Sequence, residues 1–162
     1  MEPDSEKKSG EFLKNNDKTD RRFSVFELSG VIFGIEILIV KEIIPIPNIT
    51  HIPNVEPYIL GVFNIRSIIT TLIDIRYILG LKIFSIQNDN MILLIENGSA
   101  RFGILIDKVL DIINIQESVI KPVHENIAVQ NLQYISGIYE NKNLGNIYLI
   151  DIQKIKEYIS RT

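Results

Sequence analysis

The strongest constraint on the fold is a stretch of sequence that occurs twice. Residues 33–44 read FGIEILIVKEII, and residues 102–113 read FGILIDKVLDII. Further landmarks return in the same order, with Tyr-Ile-x-Gly at 58–61 and 134–137 and Leu-Ile-Asp-Ile at 72–75 and 149–152. An ordered repeat of this kind predicts two β units of the same plan that are joined face to face, because neither unit is large enough to be stable alone.

The local pattern of the chain indicates short strands. Ile is the most abundant residue, and its β-branched side chain favours strands. Such strands must curl or close to protect their edges, and they are predicted at 23–28, 31–40, 68–73, 91–95 and 102–109. The sequence therefore predicts an all-β (mainly β) fold with few helices.

Two short helices are predicted at matching points of the repeat. Asp74 is suited to cap the first helix, and Gly80 is suited to end it. Asp151 can cap a final helix, on which Ile152 and Ile155 share one face with Ile159.

The first 22 residues differ in composition from the rest. Beyond Met1, their only large apolar side chains are Phe12 and Leu13, so they cannot bury enough apolar surface to offset the entropy of ordering. We predict a flexible tail over residues 1–22 and a single domain over residues 23–159. The sequence has no secretory signal pattern and no apolar run of membrane-spanning length, so a cytoplasmic location is expected.

The sequence offers little catalytic chemistry. The formal net charge of -3 and the pI of about 5.4 argue against nucleic acid as the main partner. There is no Cys, which excludes a thiol nucleophile and a Cys-based metal site. His51 and His124 lie far apart, and neither has a second ligand at metal spacing. Without a phosphate-binding loop or a nucleophile motif, we expect no enzyme activity, no cofactor and no metal.

Glu42 and Arg66 are charged residues set among apolar ones. They can be interpreted as a structural ion pair, since an acid and a base, Asp111 and Lys142, stand at the repeat positions. They can also be interpreted as part of a surface that binds a partner. Four apolar strand residues fit either a groove between the two units or the core: Ile37, Val40, Ile65 and Ile68.

Four stretches resemble CheW-type chemotaxis coupling proteins. They are FSVFELSGVIFGIEILIVKEII at 23–44, Ile-Thr-His-Ile-Pro at 49–53, Tyr-Ile-Leu-Gly-Val-Phe-Asn-Ile-Arg at 58–66 and Leu-Ile-Asp-Ile-Arg at 72–76, within a resemblance that covers about residues 23–159. The resemblance implies two small five-stranded β-barrels around a shared core. It also implies a non-enzymatic adaptor that couples the cytoplasmic tips of chemoreceptors (methyl-accepting chemotaxis proteins) to the histidine kinase CheA in signalling arrays.

The resemblance also implies two sets of contact residues. The receptor tip, a helical hairpin, is expected to dock between the barrels at positions that correspond here to Val40, Glu42, Gly61, Asn64 and Arg66. The regulatory domain of CheA is expected to pair with the loop at 120–127, where the contact residues are Lys121, His124, Glu125 and Asn126.

Three positions depart from the family pattern. Ser67 stands where Gly is usual, Thr70-Thr71 stands where a Pro is usual, and Asn126 stands where an aromatic residue often follows the Glu. The first two bear on the strand near the groove, and the third bears on ring assembly with the kinase. The alternative function is a small β-barrel that binds nucleic acid or oligosaccharide, which requires an exposed basic and aromatic face that this sequence lacks.

Overall fold

The chain folds into two five-stranded sheets with few short helices, which confirms the predicted mainly-β class. The computed structural model describes residues 19–124 and 128–161. The strands are β1 Asp20–Leu28, β2 Val31–Glu36, β3 Val40–Pro45, β4 Ile59–Ile65, β5 Ile68–Ile73, β6 Met91–Asn97, β7 Ala100–Ile106, β8 Lys108–Gln116, β9 Ile135–Asn141 and β10 Gly145–Ile150. The helices are α1 Arg76–Leu79 and α2 Ile152–Ser160, and 3₁₀ turns lie at Ile37–Ile39, Glu117–Val119 and Leu132–Tyr134.

Each sheet takes strands from both halves of the repeat. The first sheet has the order β8-β1-β2-β10-β9, and the second has the order β3-β6-β7-β5-β4. The two sheets therefore do not correspond to the two halves of the repeat. The first half contributes β1 and β2 to the first sheet and β3 to β5 to the second. The second half contributes β8 to β10 to the first sheet and β6 and β7 to the second. Parallel pairing joins the two contributions, through β2 with β10 and β5 with β7.

The strand register shows that the two halves are equivalent. Gly34 of the first Phe-Gly-Ile pairs with Leu149, and Gly103 of the second pairs with Leu72. These partners are themselves equivalent, because each begins a Leu-Ile-Asp-Ile landmark. The two sheets thus repeat the same arrangement with the same register at their centres.

Neither sheet closes into a barrel with a continuous ladder, which differs from the five-stranded barrels that the resemblance implies. In the second sheet, Thr50 follows edge strand β3 and exchanges two hydrogen bonds of 2.8 and 2.9 Å with Val62 on the opposite edge strand β4. In the first sheet, Lys121 follows β8 and exchanges hydrogen bonds of the same lengths with Ile138 on β9. A single bridge therefore links the edges of each curled sheet.

The largest apolar cluster lies between the two sheets. It contains side chains such as Phe33 of β2, Ile104 of β7 and Ile155 of α2, all fully or almost fully buried. Each sheet also encloses a smaller cluster of its own, which is centred on Phe23 and Leu149 in the first and on Phe63, Leu72 and Ile92 in the second. Burial on both faces explains why the strands at the centres of the sheets are almost entirely apolar.

Several boundaries differ from the predicted ones. Strand β1 begins at Asp20, so the predicted end of the tail at residue 22 lies inside a strand; residues 1–18 are outside the described part of the chain. The single strand predicted at 31–40 is broken by the 3₁₀ turn Ile37–Ile39, after which the chain leaves the first sheet and enters the second.

Both predicted helices are present. Gly80 ends α1 in the left-handed conformation with a φ of 70°. Asp74 lies one residue before the cap position, Ile75, and its carboxylate accepts a hydrogen bond from the Arg76 N–H at 3.0 Å. Asp151 caps α2 by accepting a hydrogen bond from the Lys154 N–H at 3.2 Å.

Candidate functional site

The structure brings Glu42 and Arg66 together at the surface of the second sheet. Glu42 lies on edge strand β3, and Arg66 lies in the turn between β4 and β5. Because the sheet curls, the Arg66 guanidinium reaches the Glu42 carboxylate at 3.2 Å. The pair is exposed, with 71% of the Arg66 side chain and 31% of the Glu42 side chain accessible to solvent. An ion pair of this kind contributes at most about 1 kcal/mol to stability.

The equivalent charges of the second half do not repeat this contact. Asp111 lies on β8 and its carboxylate accepts a hydrogen bond from the neighbouring Ile112 N–H at 2.7 Å. In the described part of the chain, Asp111 and Lys142 form no ion pair with one another. The repeated charges therefore give no support to a structural role for the Glu42–Arg66 pair.

The turn that presents Arg66 has an unusual backbone. It joins Ile65 and Ile68, which pair with each other, so Arg66 and Ser67 form a two-residue hairpin loop. Both loop residues have a positive φ, of 49° and 65° respectively. Such a loop favours Gly or Asn, because other L-residues meet a steric cost in the left-handed region. Ser67, which stands where the family usually has Gly, therefore bears this cost.

Apolar and amide side chains surround the charged pair. Asn64 is exposed on β4, and Ile68 and Ile69 on β5 are 46% and 65% exposed. Val40 is partly buried and packs against the main core. Among the four apolar residues proposed for a groove, Ile68 is exposed. The other three, Ile37, Val40 and Ile65, are partly buried.

Gly61 lies beneath this surface rather than on it. It is buried on β4, where Thr50 crosses the strand, and its φ is +145°. A Cβ at this position would lie 2.4 Å from the Thr50 carbonyl oxygen. Gly137 is its counterpart in the second half, with an added Cβ 2.4 Å from Ile120 Cγ2. Close backbone approach accounts for Gly61, whereas the nearest contact at Gly137 is with a side chain and the Lys121 carbonyl oxygen would lie 3.1 Å from the added Cβ.

The second departure from the family pattern, Thr70-Thr71, lies on β5. Thr70 is buried, and its hydroxyl oxygen accepts a hydrogen bond from Arg101 Nε at 3.4 Å. Arg101 in turn forms an ion pair with Glu96. Thr71 is partly buried and faces Val62 of β4 in the ladder. The hydroxyl of Thr70 thus links β5 to a charged side chain of the neighbouring strand β7.

Of the predicted kinase-contact residues, Lys121 lies at the edge of the first sheet. Lys121 bridges to β9 through its backbone, and its Nζ lies 2.8 Å from the Glu140 carboxylate on an exposed surface. His124 is exposed. Glu125 and Asn126 lie outside the described residues, as does the third departure from the family pattern. Lys121 and Arg66 are thus on different sheets.

A buried ion pair next to α1 was not identified from the sequence. Asp74 and Arg76 are 1% and 2% exposed, and the Arg76 side chain donates three hydrogen bonds of 2.6–3.0 Å to the Asp74 carboxylate. Arg76 also donates to the Phe84 carbonyl at 3.1 Å, which fixes the loop after α1. Burial alone lowers the pKa of Arg76, but the hydrogen bond and charge of Asp74, with a contribution from Asp107, hold it above the ordinary value. The only signal in the sequence was a charged residue within an otherwise apolar turn.

Two general features limit the chemistry of the described residues. Over 19–124 and 128–161, no group of three or more His, Asp or Glu residues could hold a metal ion. In the same part of the chain, no helix is long and apolar enough to cross a membrane.

Comparison with known proteins gives a consistent family. The model of the CheW-like domain family matches residues 22–159. The chemotaxis protein CheW of Bacillus subtilis is 32% identical over 126 residues, which cover 78% of this chain and 81% of that protein. The chemotaxis protein CheW of Helicobacter pylori is 27% identical over 162 residues, with coverages of 99% and 94%. The crystal structure of the scaffolding protein TtCheW from Thermoanaerobacter tengcongensis superposes with a TM-score of 0.73 and 25% identity, over 85% of this chain and 88% of that one.

Proposed function

This chain belongs to the family of CheW-like domain proteins, and on that premise we propose that it is a chemotaxis adaptor that couples chemoreceptors to the histidine kinase CheA. The adaptor binds its partners without catalysing a reaction. It resides in the cytoplasm and joins arrays of membrane-bound receptors through them. The alternative, a barrel that binds nucleic acid or oligosaccharide, has no support from the acidic net charge or from the comparisons.

The receptor-binding surface that we propose is centred on Glu42 and Arg66. The observation that carries this proposal is the exposed ion pair, which contributes little to stability and is not repeated by Asp111 and Lys142. Exposed Asn64 offers an amide beside the pair, and Ile68 adds apolar area. Together these groups provide the charged, polar and apolar contacts by which a surface recognises a helical hairpin.

Two of the five proposed receptor residues act differently from the others. Gly61 is buried, and its role is to let Thr50 approach β4, so that it supports the surface from below. Val40 is partly buried and contributes the apolar edge of the surface where β3 begins. We therefore assign direct polar contact with the receptor to Glu42, Asn64 and Arg66.

The proposed kinase-binding surface lies on the other sheet. Lys121 presents an exposed cation near the start of the 120–127 loop, and among the residues that the structure describes its ion pair is with the exposed carboxylate of Glu140. His124, Glu125 and Asn126 follow in the same loop and complete the proposed contact. Because Lys121 and Arg66 are on different sheets, we expect receptor binding and kinase binding to be separable by mutation.

A pair of binding measurements tests this assignment. Affinities of the intact chain and its variants are measured by calorimetry for a receptor-tip fragment and for the CheA regulatory domain. Arg66→Ala is expected to weaken receptor binding by about tenfold or more and to leave kinase binding unchanged, as expected for a central interface Arg. Lys121→Ala is expected to do the reverse.

The matched control is Lys154→Ala, which removes an exposed cation from α2. It should leave both affinities unchanged. Equal loss of both affinities in Arg66→Ala, or no loss in either single variant, would contradict the proposed surfaces while leaving the family assignment intact.

A further inference from the structure

Four polar residues gather at one end of the second sheet, next to the proposed receptor surface. Glu96 on β6 and Arg101 on β7 face each other in the ladder and form an ion pair. Lys41 on β3 reaches the same carboxylate, with its Nζ 3.9 Å from Glu96 Oε2. Thr70 on β5 accepts a hydrogen bond from Arg101 Nε through its hydroxyl oxygen. These four residues form the charged cluster.

The charged cluster closes one end of the apolar interior of the second sheet. Side chains two residues apart on a strand share a face. Glu96 therefore shares the face of Leu94, and Thr70 shares the face of Leu72, both of which belong to the apolar cluster that this sheet encloses. Only 23% of the Arg101 side chain and 35% of the Glu96 side chain are exposed. Charged groups thus border apolar ones with limited access to water.

The internal repeat shows that the fold does not need these charges. Counting from the landmarks of the repeat, the counterparts of Lys41, Thr70 and Arg101 in the first sheet are, in that order, Leu110, Ile147 and Ile32. All three counterparts belong to or pack against the apolar cluster that the first sheet encloses. The same end of the same architecture is therefore closed by apolar side chains in one sheet and by charged ones in the other. A requirement of the fold would apply to both sheets.

A β-bulge places Lys41 at the surface. The register between β3 and β6 passes directly from Val40 to Glu42 and skips Lys41. The first sheet has the same bulge at Leu110, whose side chain packs against the enclosed apolar cluster. A bulge changes the direction of a side chain, and 54% of the Lys41 side chain is exposed. Lys41 thus lies at the surface between two residues of the proposed receptor site.

The charge of Lys41 is available to a partner. Two cations, Lys41 and Arg101, share the carboxylate of Glu96, and Arg101 makes the closer contact. The neighbouring charges of Arg66 and Glu42 neutralise one another. These five groups therefore carry one positive charge in excess. Such a surface is complementary to a partner that brings a carboxylate.

We propose that Lys41 is a further contact residue for the chemoreceptor hairpin, and that it selects hairpins with an acidic side chain opposite it. Glu96 and Arg101 are positioning residues in this arrangement. Glu96 attracts the Lys41 side chain, and Arg101 neutralises Glu96 closely enough to leave the Lys41 charge for the partner. The inference rests on the proposed function, because it names a specificity-determining residue of the same receptor surface.

Calorimetry of the full chain with a receptor-tip fragment, at low and at physiological salt, tests the role of Lys41. Lys41→Gln is expected to weaken binding about three- to tenfold at low salt and to make it less dependent on salt, because the lost attraction is a screened one. Lys41→Arg keeps the positive charge and should bind as the native chain does.

The matched control is Lys108→Gln. Lys108 is 62% exposed and pairs with Glu27, which is the counterpart of Glu96 in the first sheet. The control therefore removes a similar cation from the equivalent acid, but away from the receptor surface. It should leave the affinity for the fragment and its salt dependence unchanged.

Lys41→Leu separates recognition from folding, because it introduces the residue that the repeat has at this position, Leu110. It is expected to unfold at the same urea concentration as the native chain and to bind the fragment as weakly as Lys41→Gln. Unchanged affinity in Lys41→Gln, while Arg66→Ala binds weakly, would overturn this inference alone. An equal loss of affinity in Lys108→Gln would also overturn it. A native chain that does not bind the fragment would overturn the inference together with the proposed function.

Discussion

The Arg66 guanidinium and the Glu42 carboxylate lie 3.2 Å apart, although 24 residues separate them in the chain. Most of the Arg66 side chain is nevertheless exposed, so solvent screens the attraction between the two charges.

The first prediction concerns the stability of this pair. Glu42→Ala and Arg66→Ala are each expected to change the free energy of unfolding by less than about 1 kcal/mol, because the pair is exposed. Urea denaturation of the singles and the double variant measures this directly. Lys108→Ala removes the cation of the similarly exposed Lys108–Glu27 pair and serves as the control. A loss of several kcal/mol in either single variant would establish a structural role for the pair.

Ser67 offers a gain in stability. Its φ of 65° lies in the left-handed region, which Gly adopts without steric cost. Ser67→Gly is expected to raise the free energy of unfolding by about 0.5–1 kcal/mol, after allowance for the greater freedom of Gly in the unfolded chain. Ser99→Gly, in a turn where the Ser does not have a positive φ, should not stabilise. Thermal and urea denaturation of the two variants decide the matter, and equal effects would refute the strain argument.

Gly61→Ala is expected to destabilise the fold more than an ordinary Gly→Ala change in a turn. Its added Cβ would meet the Thr50 carbonyl oxygen at 2.4 Å, and backbone cannot move aside easily. We expect a loss of about 2–4 kcal/mol in the free energy of unfolding. Gly98→Ala is the control, since Gly98 also has a positive φ but open space around it, and should lose only about 1 kcal/mol.

Any loss of apparent receptor affinity in Gly61→Ala should therefore be explained by the smaller folded fraction of this variant. If Gly61→Ala is as stable as the native chain yet binds the receptor poorly, then Gly61 contacts the receptor itself and the structural account is wrong.

The buried Asp74–Arg76 pair gives the largest expected effect. Arg76→Leu leaves the Asp74 carboxylate buried without a cation and should cost about 3–5 kcal/mol. Combining it with Asp74→Asn should recover part of this loss, because the uncompensated charge is then removed. Because the folded-state pKa of Arg76 is raised, its contribution is complete below the unfolded-state value and is lost only as the pH rises through the folded value. Denaturation at neutral and moderately alkaline pH should therefore give the same difference.

The sequence predicted the fold through its repeat. The two Phe-Gly-Ile stretches occupy equivalent central strands, and each pairs with an equivalent Leu-Ile-Asp-Ile strand. The exchange of strands between the halves was not predictable, because a strand's own pattern of apolar residues does not identify its partner. The 3₁₀ turn at Ile37–Ile39 could not be predicted from the sequence either, because the apolar run at 37–40 does not indicate that the chain passes from one sheet to the other there.

The candidate site was predicted in part. The sequence singled out Glu42 and Arg66, and the structure brings them into contact. The abundance of Ile concealed the exposed side chains nearby, because Ile68 and Ile69 resemble the core residues Leu72 and Ile73 of the same strand. Asp74 was understood only as a helix cap, because its ion pair with Arg76 depends on their common burial rather than on any sequence spacing.

The order in which the strands enter the two sheets has a consequence for synthesis of the chain. The second sheet uses only β3 to β7, an uninterrupted stretch at 40–106, whereas the first needs β1 and β2 together with β8, β9 and β10. As the chain leaves the ribosome, the second sheet can therefore assemble while β1 and β2 remain a lone hairpin with unpaired edges. That hairpin must wait for more than a hundred residues of chain, counted from its end at Glu36 to Ile150. During this interval its apolar strands are open to pairing with other chains, so the most vulnerable moment of folding comes before β10 is made.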